Sequence, residues 1–246
     1  VPRTDLGLEV AGVRMAPRLG LTSWAAFRKM GDHTMVMGDL VLREDQVNPV
    51  MSAALSTGLE VTALHNHFLW DTPRVMFMHI GGHGPQDKLA TAVGAVFRTM
   101  QEKPVPPTRA DVDPAKTTLD PKALESILNL KGDFKDGVLR FAVGKPSHMA
   151  GETIGNAMGV NTWAAFAGND TQAVLDGDFA MYASELQAVL KALRAGGINV
   201  VAIHSHMTEE EPRVVFLHYW GIGSAAQLAH GLKSALDAQA AAGKSS

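Results

Sequence analysis

The chain has 246 residues, of which 46% are apolar and 19% charged, and its net charge is −3 from 22 Lys and Arg against 25 Asp and Glu. This composition supports a sizeable core and excludes a disordered chain, and the lack of any basic run argues against nucleic acid as a partner. No apolar stretch approaches the roughly 18 residues of a membrane-spanning helix, and the absence of Cys excludes disulfides, thiolate metal sites and cysteine nucleophiles.

Val1-Pro2-Arg3-Thr4-Asp5 is not a signal peptide. Apolar spacing then predicts a strand at Trp24 to Phe27 and a second at Thr34 to Leu42. Next comes a helix capped by Asp45, with Val47, Val50, Met51, Ala54 and Leu55 as its inner stripe. Pro49 is expected in the first turn, where it is tolerated, and Gly58 ends the helix. A strand at Leu59 to His67, a return strand at Arg74 to Ile80 and a helix with Leu89, Ala92, Val93, Val96 and Phe97 inward complete a β-β-α-β-β-α unit over 1–102. Residues 103–120 carry Pro104, Pro106, Pro107 and Pro114 and read as an extended linker.

The same unit returns over 121–246 at a spacing of 139 residues. Trp24-Ala25-Ala26-Phe27 matches Trp163-Ala164-Ala165-Phe166, Gly38-Asp39 matches Gly177-Asp178, and Pro73-Arg74-Val75 matches Pro212-Arg213-Val214. In this copy Ser184, with Gln187 three residues on, is the expected helix cap, and the histidine strand is expected over Ile198 to His206. A helix at Pro121 to Leu128 and a strand at Val138 to Val143 open the second copy. Val1 already aligns near Val143, so the first copy is expected to lack its natural N-terminal segment. The fold class that follows is α+β, with antiparallel sheet, helices on one face and the two copies related by a pseudo-twofold axis.

Six of the ten histidines fall in a repeated H-x-H-x₁₁-H pattern: His65, His67 and His79, then His204, His206 and His218. Side chains alternate along a strand, so His65 and His67 share a face. Pairing His67 with Phe77 brings His79 opposite His65. Three neutral imidazoles around one point bind Zn, Cu, Ni or Fe, zinc first among them, and leave a coordination position open for water. A polar ligand groove without metal is the competing reading. His33, His83, His148 and His230 have no histidine counterpart in the other copy and read as ordinary surface or core residues, though His83 is close enough to His79 to join the first site.

Asp39 and Asp178 either orient an imidazole or sit in a turn after glycine. Asp71 in the first copy, and Glu209, Glu210 and Glu211 in the second, could be a fourth ligand or a general base, or solvated loop charge. Arg74 and Arg213 could clamp an anion or form a structural ion pair. Trp24 and Trp163 read as core anchors, and Met76 and Met78 alternate away from the histidine face.

The runs Gly38-Asp39-Leu40-Val41-Leu42, Asn48-Pro49-Val50, Leu64-His65-Asn66-His67 and Pro73-Arg74-Val75-Met76-Phe77-Met78-His79 resemble the LppY/LpqO family of uncharacterised bacterial proteins. The resemblance spans nearly the whole chain. It implies export from the cytoplasm, as a periplasmic, secreted or lipid-anchored protein, and a further segment before Val1; it implies no known reaction. His204-Ser205-His206 with Glu210 or Glu211 also imitates the cupin ligand pattern, so a cupin-like β-barrel is the alternative fold. The function expected is a metal-dependent hydrolase using a metal-activated water, with a small molecule as substrate. The alternative is a non-catalytic protein that binds a metal or small ligand, and a third reading makes the metal a structural staple.

Overall fold

The computed structural model describes residues 1–244. The chain forms two compact units, Val1–Pro107 and a second from Thr108 onward. Both are α+β with antiparallel strand pairing. None of the helices among the described residues is long and apolar enough to cross a membrane.

The first unit contains β1 (Glu9–Val10), β2 (Val13–Arg14), β3 (Trp24–Met30), β4 (His33–Arg43), α1 (Glu44–Ser56), β5 (Glu60–His65), β6 (Asp71–Thr72), β7 (Val75–Gly84) and α2 (Gln86–Thr99). Its main sheet runs β3-β4-β7-β5. Alternation divides β4 into two faces. Val36, Leu40 and Leu42 are buried beside α1 and α2, while Met37, Asp39 and Val41 face the other way. Gly38 has no room for a side chain, because a Cβ there would lie 2.9 Å from Ile80 Cγ1. The second face carries a smaller core of Leu6, Leu8, Leu21, Val41, Val75 and Phe77.

The second unit contains α3 (Pro121–Leu128), β8 (Asp133–Lys135), β9 (Val138–Gly144), β10 (Ser147–Met149), β11 (Glu152–Ile154), β12 (Asn161–Gly168), β13 (Ala173–Tyr182), α4 (Leu186–Ala195), β14 (Asn199–His204), β15 (Val214–Gly223) and α5 (Ala225–Ala242). Its sheet runs β14-β15-β13-β12-β9-β8, and α3 packs on α5. The last part of the proline-rich segment is tied to this unit: the Thr118 amide donates to Gly168 O (2.8 Å) and the Gly168 amide to Thr117 Oγ1 (3.1 Å).

The sheets are open, which overturns the cupin-like barrel. The histidine strands stop at His65 and His204, two residues short of the expected ends, because the next residues leave the ladder for the loop. The predicted helix caps also shift. The Arg43 amide donates to Gln46 Oε1 (3.0 Å) and the Tyr182 amide to Glu185 Oε2 (2.9 Å), so Asp45 and Ser184 are not the caps. Pro49 consequently lies deeper in α1 than its first turn, on the exposed side. Trp24 is exposed rather than a core anchor, since it points to the face without helices.

The hairpins β1–β2 and β10–β11 went unpredicted. Their strands are too short for a visible period, yet both turn through a left-handed Ala-Gly pair: Ala11 and Gly12 at φ 49° and 82°, Ala150 and Gly151 at 53° and 83°.

Candidate metal centre

Strand register builds the site. In the second unit Asp178 pairs with Trp163 on one side and His218 on the other, and His218 pairs with Ala202. Directly opposed residues share a face, so this row points away from the helices. His204 ends β14 opposite Phe216, two residues beyond Ala202 and on the same face. His206, already past the strand, folds back and stacks on Phe216 with ring centroids 3.5 Å apart and planes at 8°. That stacking sets His206 Nε2 3.1 Å from His204 Nε2 and 3.6 Å from Asp178 Oδ2. His218 stacks on His204 at 4.5 Å, and its Nδ1 is 3.8 Å from Asp178 Oδ1.

Ligand atoms of Asp178, His204 and His206 all lie within 4.8 Å of one another. Asp178 Oδ1 and His204 Nδ1 are buried with no hydrogen-bond partner. A buried carboxylate oxygen and imidazole nitrogen left this way are costly unless an ion or other group meets them. The donor set fits a divalent transition metal, since two imidazoles and one carboxylate are common zinc and iron ligands.

Electrostatics follow from burial. Desolvation pushes the Asp178 carboxyl up to about 6, against the opposing pull of His218 and the Phe179 amide. His204 is lowered to about 4 by desolvation and by its neighbours His218 and His206, and His206 is lowered by desolvation and then by His218. His204 therefore keeps a neutral ring at neutral pH, the form that binds metals.

The first unit repeats the frame but not the convergence. His79 sits between Asp39 and Ala63, so it is not opposite His65 as the expected register had it. The shift is by two residues, which preserves the face. His65 Nε2 and His79 Nε2 approach to 3.1 Å, and His79 Nε2 is 3.9 Å from Asp39 Oδ1. His67 instead stacks on Phe77 at 4.5 Å and meets Phe68 edge-on at 4.6 Å. Among the described residues, no group of three ligand atoms gathers in this unit as closely as in the second.

The proposed bases serve the loops. Asp71 Oδ2 accepts the Val75 amide (2.9 Å), and Glu210 Oε1, 139 residues on, accepts the Val214 amide (3.0 Å). Glu211 is exposed and exchanges backbone hydrogen bonds with His148. Arg213 donates to Ser205 Oγ (3.3 Å) and lies 4.0 Å from Glu210 Oε1, and Arg74 is exposed. Asp178 moves from a supporting place to a candidate ligand. The signal for it was the repeated Gly-Asp pair, whose glycine is forced because a Cβ on Gly177 would overlap the Tyr219 ring.

The family model described as Domain of Unknown Function (DUF1259) matches residues 1–99 and again 122–238. The chain belongs to this family. The DUF1259 match covers most of both units. No curated protein matches the chain. Among solved structures, a fused permuted hexameric shell protein from the RMM microcompartment is 15% identical, covering 90% of this chain and 97% of that one, with a TM-score of 0.23. A double-ringed trimeric shell protein from the same microcompartment is 10% identical, covering 89% and 95%, with a TM-score of 0.22. Likeness that slight bears on neither fold nor function.

Proposed function

We propose that this chain binds a divalent transition metal in its second unit, through His204, His206 and Asp178, with His218 beside them. The observation that carries this is the gathering of one ligand atom each from Asp178, His204 and His206 within 4.8 Å of one another, with Asp178 Oδ1 buried and unpartnered. Zinc is the first candidate; copper, nickel and iron are the others. Asp39, His65 and His79 form a second, weaker site. Three protein ligands leave an open position, which would allow hydrolysis by a metal-activated water. Non-catalytic capture of a metal or small ligand is the second reading. It is favoured by the engagement of Asp71 and Glu210 with backbone amides, which leaves them poorly placed as bases. Residence outside the cytoplasm rests on the resemblance to LppY/LpqO proteins.

The test is metal content and titration calorimetry on stripped, reloaded protein. Wild type should take up one tightly held zinc per chain, and His204→Ala and Asp178→Asn should lose it while remaining folded. Absence of uptake for every metal tried would overturn the proposal.

A further inference from the structure

The end of the first unit next to its histidines is apolar and basic, and the same end of the second unit is acidic. Val13, Leu19, Leu69 and Trp70 are 56%, 54%, 62% and 78% exposed. They lie on three neighbouring segments. The Ala11 amide bonds Trp70 O (3.3 Å), β1 pairs with both β2 and β6, and a Cβ on Gly20 would lie 3.2 Å from Phe68 Cζ. Trp70 is held outward in a left-handed conformation, φ 61°, which is uncommon for a bulky residue. Arg14, Arg18 and Arg74 flank these side chains and are themselves exposed. The acids on the same segments are Glu9, paired across the strands with Arg14, and Asp71, held by the Val75 amide.

At the matching positions of the second unit, Val13 becomes Glu152, Leu69 becomes Thr208 and Trp70 becomes Glu209. Arg14 becomes Thr153 and Arg18 becomes Ala157. Only Leu19 of the apolar four keeps an apolar counterpart, Met158. The shared frame therefore does not require an apolar tip.

We infer that this tip of the first unit docks on an anionic lipid surface. A Trp and Leu side by side at a loop apex suit the boundary between headgroups and acyl chains. Surrounding arginines add attraction to negatively charged headgroups, within a Debye length of the surface. The acidic end of the second unit would be repelled by the same surface.

The full chain is sedimented with vesicles of phosphatidylcholine alone and of phosphatidylcholine mixed with phosphatidylglycerol. Binding should favour the mixed vesicles and weaken with salt. Leu69→Ser with Trp70→Ser should lower the bound fraction about tenfold, as should Arg14→Ser with Arg18→Ser, while Met158→Ser leaves it unchanged. Circular dichroism melting confirms that the variants fold. Three results would overturn the inference: no partition into either vesicle, partition that survives the tip substitutions, or tip substitutions that abolish self-association instead, which would make the patch a contact between proteins. Zinc content is unaffected by any of these variants, so this test stands apart from that of the metal site.

Discussion

Phe27 and Phe166 hold the same place in two copies of one sequence pattern, yet Phe27 is 43% exposed and Phe166 fully buried. The second unit covers its phenylalanine with β9, where Phe141 meets Phe166 edge-on at 6.0 Å, whereas in the first unit Val1–Arg3 bond to Leu21–Ser23, short of Phe27. His67 and His206 diverge in the same manner. Both stack on the phenylalanine below, but Phe68 holds the His67 ring edge-on, whereas His206 reaches His204 and Asp178. A repeat conserves the frame, and the neighbours of each position decide what the frame does.

The sharpest contrast is in stability. Phe166→Ala should cost ~3–5 kcal/mol by denaturant unfolding, and Phe27→Ala about 1 kcal/mol. Equal costs would mean that the first unit's edge is covered in solution. For metal binding, His206→Ala should weaken zinc affinity by about a hundredfold, with His67→Ala near wild type. The reverse order would place the ion in the first unit.

Gly177→Ala should destabilise by ~1–3 kcal/mol through its collision with the buried Tyr219 ring. Gly38→Ala should cost less, because its Cβ would lie 2.8 Å from the Trp24 carbonyl and 2.9 Å from Ile80 Cγ1, a milder overlap than the 2.2 Å to Tyr219. A further contrast is in pH. The neutral Asp178 carboxyl, at about 6 against an ordinary 3.8, contributes stability that is complete below 3.8 and lost as pH rises through about 6. His204, at about 4 against 6.5, contributes stability present above 6.5 and lost as pH falls toward 4. Metal-free Asp178→Asn should therefore be more stable than wild type at neutral pH and lose less stability between pH 4 and 6. Unchanged pH curves would show that Asp178 is not desolvated.

The 139-residue register made the duplicated β-β-α-β-β-α order and the shared face of the histidines legible in the sequence. Strand ends were not, because His67 and His206 look like further alternating positions and nothing local marks the loop. The role of Asp178 depends on β13 lying between β12 and β15, a pairing that only tertiary structure sets. Asp71 and Glu210 lie in the loop after each histidine pair, open to a ligand, base or solvated role, and nothing in the sequence reveals that they hold the amides of Val75 and Val214.

The most direct test is the position of the ion itself. Anomalous diffraction at the zinc edge on loaded crystals should show a strong peak within bonding distance of His204, His206 and Asp178. A peak elsewhere, or none in fully loaded protein, would contradict the assignment.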